Sequence, residues 1–155
     1  MFFFYFRALR LRLEKKRDNL FYFDMEEKLI DTIKLDNGLT LELYDRSRKV
    51  AGDRWLVCFE ARIDVEVKSQ YFEGLDAVDP TIDAIQKAVG DKVTYSYEKS
   101  RNFIAATEKN EVLEEMKERF LTTTRPYFSS ANFPRNIILS EYQATQRSSK
   151  LSTQQ

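Results

Sequence analysis

Histidine is absent from all 155 residues, and Cys58 is the sole cysteine. A Ser-His-Asp or Cys-His catalytic site therefore cannot be built, nor a zinc site of Cys/His type. No side chain titrates near pH 7 unless its surroundings move it there. One cysteine excludes an internal disulfide and fits a reducing compartment, so a cytoplasmic location is the expectation. No apolar run approaches the roughly 20 residues of a membrane-spanning helix. Net charge is missing too. The 25 basic and 25 acidic groups cancel, which removes any overall pull toward polyanions.

What is present is a globular composition. Hydrophobic residues make up 43% and charged residues 32% of the chain, enough for a real core in a single domain over residues 25–142. The two ends differ from it. Residues 1–24 hold six of the twelve phenylalanines, with six basic groups against three acidic ones. That leaves 19 basic and 22 acidic groups for residues 25–155. The apolar cluster Phe2–Phe6 comes before the basic residues and lacks a small-residue cleavage site, so it does not read as a signal peptide. Three readings fit this N-terminal extension. It is translated upstream sequence ahead of Met25, or a peripheral membrane anchor with aromatics at the interface and arginines on headgroups, or an extra strand or helix packed on the domain. Residues 143–155 are polar and read as a disordered tail.

Between the ends the pattern is α+β. Leu29, Ile33 and Leu35, then Leu39, Leu41 and Leu43, alternate around Asn37-Gly38, a hairpin signal because both turn residues accept positive φ. Strands are expected at 28–35 and 39–45. From Trp55 to Val67 every second residue is apolar, while Glu60, Arg62, Asp64 and Glu66 take the other face, as in a half-buried antiparallel strand. Asp79-Pro80 predicts a helix start and Gly90 its stop. Residues 92–98 alternate again, and Lys99–Arg101 reads as a turn before residues 102–106. A long helix over 108–125 should end before Pro126. The expected fold is an antiparallel sheet of about five strands with two helices, the longer packed on one sheet face.

The candidate site is the basic loop between the second and third strands. Arg46, Arg48, Lys49 and Arg54 flank Gly52, and guanidiniums beside a flexible glycine can hold phosphate or carboxylate. The competing reading is a solvated loop paired with Asp45 and Asp53. Asp45-Arg46-Ser47 resembles the start of the Asp-x-Ser-x-x-Gly motif of PilZ domains. Val50 stands where that motif has glycine, and no Arg-x-x-x-Arg precedes it, so the family is not assigned. Glu73, Asp76, Asp79 and Asp83 could bind a hard cation, but acids at a helix start are explained by the macrodipole. Glu60 and Asp64 lie two pleat repeats apart, about 13 Å, too far for a carboxylate pair. Tyr95, Tyr97 and Phe103 near Lys99 and Arg101 could stack bases, but the tyrosines read better as core. Cys58, with no activating neighbour, reads as packing.

The expected function is a non-enzymatic cytoplasmic interaction or regulatory module with a protein partner, without metal or cofactor. The alternative is a small-anion or nucleotide-binding domain using residues 46–54. The third is a carboxylate-based enzyme without histidine, using carboxylates, tyrosine or lysine. Nucleic acid is disfavoured by the charge balance, and a membrane enters only through residues 1–24.

Overall fold

The computed structural model describes residues 26–74 and 80–152. The N-terminal extension, with Met25, lies outside them, as do Asp76 and Asp79. Strand β1 (Lys28–Lys34) pairs antiparallel with β2 (Thr40–Asp45), from Lys28 opposite Asp45 to Lys34 opposite Thr40. The hairpin falls where the alternation put it, but its turn differs. Only Gly38 takes positive φ, at 84°. The Gly38 amide bonds to Leu35 O at 3.0 Å, and the Leu35 amide bonds to Leu39 O at 2.9 Å. Three residues thus form the loop, with glycine alone in the left-handed position. Asn37 is used otherwise. Its side-chain amide donates to Phe128 O at 2.7 Å and Ser130 O at 2.9 Å, tying the hairpin to the end of a distant helix.

Strands β2 and β3 (Arg48–Ala51) lie end to end along one side of β4 (Arg54–Glu66). The break between them is stitched by local polar bonds. Asp45 Oδ1 accepts from the Ser47 amide at 2.8 Å, Ser47 Oγ accepts from the Cys58 amide at 3.1 Å, and the Arg46 amide donates to Cys58 O at 2.9 Å. On the other side of β4 runs β5 (Lys92–Ala105), paired from Glu66 opposite Lys92 to Arg54 opposite Ala105. The turn expected at Lys99–Arg101 is therefore absent, and one strand of 14 residues takes its place. Its alternation is reset by a bulge at 102–103, between Val57 opposite Arg101 and Trp55 opposite Ile104.

Between β4 and β5 lie a 3-10 turn, Ser69–Phe72, and helix α1 (Ile82–Val89). Thr81 caps α1 by accepting from the Ala84 amide, two residues beyond the start signalled by Asp79-Pro80. Gly90 ends the helix as the sequence implied, with φ 84° and its amide on Gln86 O. Helices α2 (Lys109–Phe128) and α3 (Phe133–Ser152) follow. The described residues thus hold three helices rather than two. Pro126 sits inside the last turn of α2 instead of beyond it. The proline forfeits one backbone bond, but the turn it sits in delivers Phe128, fully buried, into the core. Residues 143–152, expected as tail, continue α3 as helix.

The core lies between α2, α3 and the sheet face carrying Val57, Phe59, Ala61, Ile63 and Val65. Phe120 packs on Phe59 at 5.3 Å and on Tyr97 at 4.9 Å between ring centres. Phe128 meets Tyr95 at 5.2 Å and Phe133 at 5.1 Å. Each such side chain contributes about 1.5–3 kcal/mol by burial, and each ring pair about 0.5–1.5 kcal/mol more. Strand β4 carries this core on one face and all the candidate chemistry on the other.

Candidate functional site

The basic loop is a β-hairpin. Its tip is Gly52-Asp53, and Gly52 has φ 52°, which a side chain would strain. The register sets Arg48 opposite Leu56 and Lys49 opposite Trp55, so the two point to different sheet faces. Arg54 lies opposite Ala51 and meets Asp53 at 3.5 Å, both exposed. Among the described residues neither Arg48 nor Lys49 has an ion-pair partner. The hairpin therefore brings Arg48, Lys49 and Arg54 around Gly52.

Arg46 is placed apart from them. Its guanidinium donates to Glu60 at 2.8 Å and to Glu98 at 3.3 Å. Glu60 is only 4% exposed. It also accepts from Arg62 Nε at 2.7 Å and from Ser96 Oγ at 2.8 Å. Arg62 in turn grips Glu27 with both terminal nitrogens, at 2.6 and 2.7 Å, and its guanidinium lies 4.5 Å from the Tyr44 ring centre. Burial pushes the Glu60 carboxyl up, but the hydrogen bonds from Arg62, Ser96 and Arg46 outweigh it, and its pKa ends below the ordinary value. A carboxylate held ionised in this way is a poor proton donor near neutral pH. Asp64 behaves alike, with burial outweighed by bonds from Lys92 and Thr94. The interleaved charges of this strand face are thus spent on cross-strand pairs. Cys58, on the same face, is buried, and that burial pushes its thiol up to about 11, so it stays protonated and unreactive at neutral pH.

Tyr95 and Tyr97 pack against α2 and α3. Phe103 does not join them. It is 68% exposed and has φ 59°, making it the sole non-glycine residue with positive φ among those described. A bulky side chain in that region is strained. It belongs to the β5 bulge opposite Leu56. A second bulge, in β3 between Lys49 and Ala51, flanks the same stretch of β4 from the other side and displays Val50, 37% exposed. Two of the four large hydrophobics exposed among the described residues thus stand at one end of the sheet, interleaved with Arg48, Lys49 and Arg54. The sequence held one signal of this rim. The core residues of β5 switch parity between Tyr97 and Ile104, which requires an extra residue between them.

The cavities lie elsewhere. A polar cleft of about 550 Å³ opens at the far end of β4, lined by Glu42, Asp64, Glu66, Lys68 and Lys92 among others. Four of these charges are paired, Lys92 with Asp64 and Lys68 with Glu66, each at 2.7 Å, and Glu42 accepts from the Tyr44 hydroxyl. A shallower one lies by Asp36, Arg125 and Pro126. No helix among the described residues is long and apolar enough to cross a membrane. No family model matches the chain, and no curated protein or solved structure is significantly similar to it.

Proposed function

We propose that this chain is a non-enzymatic docking module, working in the cytoplasm, whose contact surface is the two-bulge rim. The observation that carries the reading is Phe103, an aromatic displayed to solvent on a strained backbone. A strand bulge can be made at lower cost with glycine or asparagine at the left-handed position. The phenylalanine gains nothing from the core it leaves, and gains only when something apolar covers it. The ionised state of Glu60 and Asp64 and the protonated Cys58 count against catalysis on the same sheet face.

The test is a photo-crosslinking side chain at position 103. Benzoylphenylalanine in place of Phe103 should give a discrete adduct, with protein or with lipid, in cells, while the same group at Glu118, exposed on α2, should give none. Equal labelling at both positions, or none at 103, contradicts the reading.

A second reading is supported by the unpaired Arg48 and Lys49 beside Gly52: a weak site for a phosphate-bearing small molecule. It predicts that nucleotides or sugar phosphates raise the melting temperature by linkage, and that Arg54→Ala abolishes the rise. The docking reading predicts no shift with any of them.

A further inference from the structure

We infer that the rim is a shallow insertion site for an anionic bilayer surface, with Phe103 and Val50 entering the headgroup region and Arg48 and Arg54 pairing with lipid phosphates. This rests on the docking reading and names its partner.

Arg48, Leu56 and the 102–103 bulge share one row across three strands, and Ala51, Arg54 and Ala105 share another. Apolar and basic side chains therefore alternate over a narrow end of the sheet. Phenylalanine flanked by arginine is the composition that sits at a membrane–water interface, where ring and charge both find partners. The shape agrees. A protein ligand anchors side chains in grooves, and the clefts of this domain lie at the other end of β4, a 13-residue strand about 40 Å long. At the rim two bulges and a hairpin tip project instead, and a fluid surface can receive projections without a matching pocket.

Charge selects the lipid. Of the acids near the tip, Asp53 is paired with Arg54. Lys109, at the start of α2, lies on the opposite face, 4.5 Å from the Trp55 ring centre. With Asp53 offset by Arg54, the unpaired Arg48 leaves the face bearing both arginines with a net basic charge. Two basic groups are too few for strong binding to nucleic acid, whose affinity grows with each phosphate neutralised. Beside an inserted aromatic they suffice for a reversible hold on an anionic leaflet.

The experiment is co-sedimentation of the full chain with vesicles of phosphatidylcholine, with and without an equal amount of phosphatidylglycerol. The chain should bind the mixed vesicles at least tenfold more tightly than the neutral ones. Phe103→Gly should weaken that binding about tenfold or more while leaving the melting temperature unchanged or raised. The pair Arg48→Glu and Arg54→Glu should abolish it, and Arg119→Glu with Arg125→Glu on α2, an equal change in charge, should not. No binding by the wild type, wild-type binding by Phe103→Gly, or equal loss from both double variants would overturn the inference. If vesicles fail but crosslinking at 103 captures a protein, the docking reading stands and the lipid inference falls. If both fail, both fall.

Discussion

Glu60 shows how much one residue can be asked to hold. Two arginines and a serine converge on a carboxylate that is nearly out of contact with water. Removing its charge leaves Arg46 and Arg62 facing each other. Glu60→Gln should therefore cost about 2–3 kcal/mol, somewhat below a fully buried pair, because both guanidiniums keep a path to water. Asp64→Asn, whose pair is exposed, should change stability by less than ~1 kcal/mol. Equal effects in urea unfolding would mean that burial does not set the value of these pairs. The pH dependence follows the same groups. Glu60 and Asp64 have folded-state pKa values below their unfolded ones, so the unfolded chain binds protons first as pH falls. Their stabilisation is complete above the ordinary carboxylate value, about 4.3, and is lost as pH drops through the folded values. Glu141 runs the opposite way. Burial raises its pKa, so it favours the fold only while protonated and opposes it when ionised. Glu141→Gln should raise the unfolding midpoint at neutral pH, and the gain should vanish below about pH 4.

At the scale of elements, local signals were legible and reach was not. The β1–β2 hairpin, the long strand β4 and the stop at Gly90 could be read because alternation and a glycine act within a few residues. The true work of Asn37 was hidden, because its partners lie 91 and 93 residues away. Asn37→Ala should cost about 1–2 kcal/mol, since it strips two helix-end carbonyls of their donor. An unchanged urea midpoint would show that water replaces the bonds. Lys99–Arg101 reads as a turn by composition, yet pairing along the whole of β4 carries β5 through it as strand. The polar half of α3 gave no apolar stripe to read. It is supported by local bonds instead, such as Thr145 Oγ1 donating to Glu141 O. The basic loop was seen as four basic groups in nine residues, but which of them turns inward depended on Glu60, across the sheet. Register decides that, and composition does not encode it.

At the scale of the molecule, the sheet divides its labour. One face is buried under α2 and α3. The other is closed by ion pairs in its middle, and at the rim, the end of the sheet, Val50 is exposed and Phe103 is exposed on a strained backbone. Phe103 is held against the preference of its own backbone. Urea unfolding of Phe103→Gly tests that claim most directly. Relief of the left-handed strain should offset the flexibility that glycine adds, so the stability should stay within ~0.5 kcal/mol of wild type or rise above it. A loss of more than about 1 kcal/mol would show instead that the fold itself depends on Phe103, and the rim would no longer be a surface kept for a partner.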